Sequence, residues 1–272
     1  MIADRQNEID AALARAVVYR ALSLGFQMPT AERLRLMGAR HRFTAVAAAL
    51  TQLDPEADAG ALTSVAARLA SLDVPDVAAL TSDFVRLFGH TTRGLVCACE
   101  TEYGNDNQFH QPQQLADITG YYLAFGMRPV LASDARADHV ACQCEFMDFL
   151  NRKEALLLSC GAGDAGDVGG AGDAVDPGDD GTIEVTRAAA RTFLRDHIGQ
   201  FGRAFATRLS TADPDGLLGR LGSVMLEFLD AECRRLAIAG GPVDLIVRPE
   251  VEDDAPMACG TASELIQIQR RS

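Results

Sequence analysis

Two Cys-x-Cys pairs, Cys97-Ala98-Cys99 and Cys142-Gln143-Cys144, carry the side chains with the most direct chemical reach, and His90 and His139 lie near them in the sequence. Four thiolates can hold a zinc ion tetrahedrally. The second pair, however, falls in a segment of helical spacing, where residues two apart point about 200° away from each other. Both thiols could face one metal only if the helix unwound, and the separations fit no common zinc spacing. The plainer alternative is that these cysteines pack as small apolar groups. The expectation is therefore no metal and no cofactor, with metal or cofactor handling through the paired cysteines as the rival reading.

Other constellations are weaker. Gly161-Ala162-Gly163-Asp164-Ala165-Gly166 matches G-x-G-x-x-G in form, but a dinucleotide site needs a strand before it and a helix after it. Neither is expected here, and the aspartates nearby would repel phosphate. Glu100 and Glu102 could be an acid/base pair, and His139 or His197 a base. No nucleophile motif accompanies them, so the chain is not expected to be an enzyme.

Bulk properties narrow the setting. The chain has 272 residues, 48% of them hydrophobic, which is enough for a sizeable core without covalent staples. Its start, Met1-Ile2-Ala3-Asp4-Arg5, runs into a polar stretch with no apolar leader core. No segment approaches the roughly 18 apolar residues of a membrane span. Seven cysteines are thus expected to stay reduced in the cytoplasm. A net charge of −13 argues against nucleic acid as a partner. Six aspartates of that excess fall within residues 160–181, and four acids within 248–256. The acidity therefore belongs mostly to these two segments.

The elements that must position any site are helical throughout. Ile9, Leu13, Val17 and Leu24 mark a first helix that Met28-Pro29 closes. Leu34 and Met37 mark a second, which Phe43, Val46 and Leu50 extend or follow, and Leu62, Val65, Ala66 and Leu69 mark another. Asp76 to Gly89 places Val77, Leu80, Phe84, Leu87 and Phe88 on one face. Pro112 opens a helix with Leu115, Ile118, Tyr122 and Phe125. The stretch 134–158 is apolar around most of its circumference and predicts a central buried helix. Leu194, Ile198, Phe201, Phe205 and Leu209 form a regular stripe. Asp213-Pro214 reads as a cap and first-turn proline for a last helix through Leu218, Leu221, Met225, Phe228, Leu229 and Leu236. Only Val243 to Val247 alternates like a strand. The fold class is all-α, a single globular helical domain. Residues 1–159 form its first part and 182–247 its completion. Residues 160–181 read as a flexible Gly/Asp-rich linker, and 248–272 as an acidic tail.

Five stretches, in this order, resemble the TorD/DmsD family of redox-enzyme maturation chaperones. They are Tyr19-Arg20-Ala21-Leu22-Ser23-Leu24-Gly25-Phe26 with Pro29, and Asp83-Phe84-Val85-Arg86-Leu87-Phe88-Gly89. Next come Glu100-Thr101-Glu102-Tyr103-Gly104, similar to an E-x-x-Y core, and Asp138-His139-Val140-Ala141 with Glu145-Phe146-Met147. The last is Phe193-Leu194-Arg195-Asp196-His197-Ile198 with Phe201. Leu115 to Tyr122, with Ala124-Phe125-Gly126, is similar to the branch that serves selenate, chlorate, ethylbenzene or dimethyl sulfide enzymes. The resemblance implies a non-catalytic helical chaperone. Its partner would be the twin-arginine leader and apo-protein of a molybdopterin-containing catalytic subunit, held until cofactor insertion so that export is delayed. A homodimer is one arrangement open to it. Carried over as peptide contacts are Phe84, Leu87, Phe88, Cys99, Glu100, Tyr103, Asp138 and His139. Many relatives have Pro-Pro-aromatic just before E-x-x-Y where this chain has Cys97-Ala98-Cys99, so the pocket wall near residue 99 departs from the family. The bland alternatives are core packing for the aromatics (Phe146 included), an N-cap for Asp138 and a loop anchor for Tyr103.

Overall fold

Helical spacing becomes helices nearly everywhere in the computed structural model, which describes residues 2–37, 40–53, 67–68, 70–71, 75–89, 94–104, 111–128, 136–160 and 180–249. These give α1 (Ile2–Gly25), α2 (Ala31–Met37), α3 (Arg40–Leu53), α4 (Val77–Phe88), α5 (Gln111–Ala124), α6 (Val140–Cys160), α7 (Asp180–Phe193), α8 (Gly199–Ala212) and α9 (Leu217–Arg235). The fold is all-α, and among the described residues there is no strand. Nor is any described helix long and apolar enough to cross a membrane. Most of the linker and nearly all of the acidic tail expected at 160–181 and 248–272 lie outside the described residues. So do Leu62, Val65, Ala66 and Leu69, and the glycine-rich G-x-G-x-x-G stretch.

The expected ends of α4 are met. Asp76 caps it by accepting a 2.8 Å hydrogen bond from Ala79 N, and Gly89, at φ 71°, closes it by donating to Val85 O. A side chain at that φ would be strained, so glycine suits the stop. The start of α9 differs from the sequence reading. Gly216 is its N-cap, and Asp213 lies in the preceding turn, its carboxylate accepting from Gly219 N at 3.1 Å and from Arg86 Nη2 at 2.8 Å. Asp213 therefore still serves the helix start, but by reaching back to it from outside while tying α4 to α9.

Helix α6 is central, as its all-round apolar pattern predicts, with α1 packed along it and α7 alongside. One continuous core runs through Tyr19, Phe26, Leu87, Ile118, Phe146, Phe193, Phe201, Phe205 and Phe228. Phe146 sits at its aromatic centre, with ring centroids 4.8 Å from Phe193, 5.0 Å from Tyr122 and 5.8 Å from Phe125. Helices α7 and α8 form one rod interrupted at Leu194–Ile198 by a π-turn. Gly199 N bonds back to Leu194 O there, and a Cβ on Gly199 would come 2.3 Å from that same oxygen. The extra residue in the turn needs a glycine behind it.

Candidate functional site

The E-x-x-Y motif sits on an extended loop, 94–104, with a short 3-10 turn at Glu100–Glu102. Backbone pairing holds the loop on both sides. Glu100 N donates to Asp138 O and Val140 N to Ala98 O, so Cys99 faces His139 in an antiparallel bridge. On the other edge Gly104 N donates to Ile246 O and Arg248 N to Glu102 O, so Tyr103 faces Val247. The alternating stretch Val243 to Val247 thus supplies one bridge rather than a strand.

Asp138 fastens this loop to the start of α6. Its fully enclosed carboxylate accepts from Thr101 N at 3.1 Å and Thr101 Oγ1 at 2.8 Å. Arg136 clamps it with both arms of its guanidinium, Nε and Nη2 each at 3.0 Å, and reaches Glu102 Oε1 with Nη1 at 3.0 Å. Arg136 Nη2 also donates to Thr101 Oγ1. This carboxylate already holds an arginine, one from its own chain. It does not cap α6; His139 does, its Nδ1 accepting from Ala141 N at 3.1 Å. That bond requires a neutral ring, and burial, with Arg136 adding to it, lowers the His139 pKa to about 4.

Tyr103 points inward. Its hydroxyl donates to Cys97 O at 2.7 Å, its ring packs 5.6 Å from Phe201, and burial raises its pKa. Phe84, Leu87 and Phe88 are buried as well, with Phe84 against Phe88 at 4.6 Å and Phe88 stacked on Phe205 at 6.1 Å. As they stand, these three offer no apolar face to a ligand. Cys99 is buried beneath the bridge. Of the eight carried-over residues, Glu100 and His139 alone are half-buried rather than buried.

Glu100 is the member with a polar setting of its own. One oxygen accepts from Gln143 Nε2 at 2.6 Å, and the other lies 3.0 Å from His197 Nδ1. Nε2 of the same ring lies 3.4 Å from an Asp117 carboxylate oxygen, off the direction a hydrogen bond needs. His197 is brought there by the π-turn and rests edge-on against Tyr121 at 5.6 Å. Asp117 and Glu100 thus flank one imidazole, and the Asp117 side chain is 61% exposed against 11% for Glu100. Around Asp117, Ala116, Gly120, Leu123 and Ala124 form an exposed strip of α5, with open space at Gly120. Asp117, Arg136 and Gln143 were not signalled as site residues by the sequence: each carries an ordinary residue type, and only the fold brings it to the motifs.

The paired cysteines do not converge on a metal set. Cys144 is fully buried and Cys142 half-buried, and among the described residues no three His, Cys, Asp or Glu side chains group as ligands. His90 lies outside those residues. Burial, and then Glu145 and Asp138, raise the Cys142 thiol to about 11, and burial raises Cys99 and Cys144 as well. Because the thiolate is the reactive form, a Cys160→Ser/Cys259→Ser variant is expected to react slowly with a disulfide reagent at neutral pH and quickly in denaturant. Fast reaction of two or more thiols in the native variant, suppressed by one equivalent of zinc, would instead favour metal handling.

Residues 46–207, more than half of the chain, match the model of a family described as nitrate reductase delta subunit. No curated protein and no solved structure matches the chain.

Proposed function

Because the chain belongs to the nitrate reductase delta subunit family, a TorD-type family of chaperones for molybdoenzyme maturation, we propose that it binds the twin-arginine leader of one molybdopterin-containing catalytic subunit in the cytoplasm. It holds the apo-subunit until the cofactor is in place and so delays export. It does no covalent chemistry in this role. A homodimer is compatible with the reading but not required by it.

One observation carries the proposed seat of the leader. The carboxylates of Glu100 and Asp117 lie to either side of His197, and Asp117 opens to solvent beside an exposed strip with Leu123. A guanidinium pairs well with carboxylates, and the strip offers neighbouring apolar surface to the rest of the leader. Asp138, Tyr103, Cys99, His139 and the Phe84–Phe88 face act behind this seat, fixing the loop that presents Glu100.

The test begins with a pull-down that identifies the client, followed by calorimetry with its leader peptide. Binding should weaken at least tenfold in the Arg-Arg→Lys-Lys peptide, and by severalfold with Asp117→Asn at unchanged melting temperature. The Asp117 effect is modest because an exposed ion pair contributes only about 0–1 kcal/mol. If neither leader nor full-length client binds the wild-type protein, the reading fails. If the leader binds and Asp117→Asn, Glu100→Gln and the double variant all leave affinity unchanged, the seat lies elsewhere.

A further inference from the structure

Helices α1, α6, α7 and the end of α9 line a half-open cavity of about 380 Å³. Its wall carries four arginines, Arg15, Arg187, Arg191 and Arg235, against three glutamates, Glu8, Glu154 and Glu232. Met147 and Asn151, also in the wall, lie one and two turns along α6 from Gln143. The cavity and the Glu100–His197 group therefore lie along the same side of that helix, but they share no residue.

The acceptors of this wall are almost all occupied. Glu154 takes Arg187 Nε on one oxygen at 2.7 Å and Arg15 Nη2 on the other at 3.3 Å. Both oxygens of Glu232 are held by Arg235, at 2.9 and 2.8 Å. Asn151 accepts from Arg15 Nε at 2.8 Å and gives its own amide to Met147 O at 2.7 Å. Glu8 takes Arg187 Nη2 at 2.6 Å and stands at the half-exposed rim. The donors are not exhausted. A guanidinium offers five N–H groups on three nitrogens. Among the described residues Nη1 of Arg15, Arg187 and Arg235 has no hydrogen-bond partner, and Arg191 uses only Nη1, toward Leu236 O.

What the cavity can still bind is thus an acceptor with negative charge, and several guanidinium arms are available to it at once. That demand suits a tetrahedral oxyanion better than a planar carboxylate, because each of its oxygens can meet a different arm. Ala11, Met147, Ala190 and Leu236 supply apolar wall beside the arms. The buried part of the wall is built: Arg15, Asn151, Glu154 and Glu232 are all at least nine-tenths enclosed. We propose that this cavity is a binding site for a small phosphorylated molecule, a phosphate monoester with a compact apolar body.

Phenyl phosphate is the probe, with inorganic phosphate, phenol and sodium chloride at matched ionic strength as the other arms, and calorimetry and thermal shift as readouts on the full chain. Phenyl phosphate should bind one per chain, at least fivefold tighter than inorganic phosphate, and raise the melting temperature where chloride does not. Arg191→Glu is the test variant. Arg191 is exposed and bonds only to the Leu236 carbonyl, so the variant should keep the wild-type circular dichroism spectrum and lose binding at least tenfold. Arg191→Lys should retain part of it. No saturable binding at millimolar concentration, a chloride arm that reproduces the thermal shift, or full affinity in a folded Arg191→Glu variant would each overturn the proposal.

Discussion

Asp138→Ala is expected to lower the unfolding free energy by about 3 kcal/mol and the melting temperature by roughly 6–12 °C. Removing one member of a buried charged pair typically costs about 3–5 kcal/mol, because the partner keeps its charge without its counter-charge. The lower end applies here. The Arg136 side chain is 32% exposed and retains Glu102, so water and a second carboxylate compensate in part. Thr101 has no such relief: its N–H and hydroxyl both point at the missing oxygen in an enclosed site. Thermal denaturation of Asp138→Ala, Arg136→Met and the double variant gives the coupling directly, expected at 1 kcal/mol or more on the scale of about 0.5–3 kcal/mol seen for contacting residues. An Asp138→Ala protein that melts like wild type yet loses leader binding would mean that Asp138 touches the client itself, and the scaffold role described above would fall.

Phe146→Ala should cost about as much or more, roughly 3–5 kcal/mol. The ring has no exposed surface and lies between α5 and α7, against Tyr122, Phe125 and Phe193. Truncation removes its transfer free energy, leaves a cavity and breaks several edge-to-face contacts, each adding about 0.5–1.5 kcal/mol. Phe146→Leu fills most of the space and should recover more than half of the loss. Urea unfolding monitored by far-ultraviolet circular dichroism measures both. A midpoint for Phe146→Ala within 0.3 M of wild type would contradict the packing.

Helix α4 shows what the sequence could reveal. Asp76, the apolar spacing through Phe88 and Gly89 each act within a few residues, so cap, face and stop could be read together. The same pattern could not say whether Phe84, Leu87 and Phe88 look into a core or onto a docking face, since the two demand the same types at the same spacing. The carboxylates were harder still. Asp138 and Glu100 are alike in type and both fall in motifs, yet one is enclosed with Arg136 and the other borders solvent beside His197. Pairings such as Glu100 with His197, 97 residues apart, set that difference, and local pattern contains no information about them. The π-turn at Leu194–Ile198 likewise leaves no local signal. Leu194, Ile198 and Phe201 keep ordinary helical spacing, and the slip in rotation appears only in three dimensions.

That slip makes α7 and α8 a rod with two phases. An added residue in one turn offsets everything after it by about 100° relative to a plain α-helix. The first half can thus aim Phe193 at α6 and the second aim Phe205 and Leu209 toward α4 and α9, although no single stripe on a regular rod would serve both. The two ends are geared separately, and the glycine at 199 is the tooth that lets them mesh. Changes that reshape the surroundings of His197 therefore need not disturb the packing at the other end.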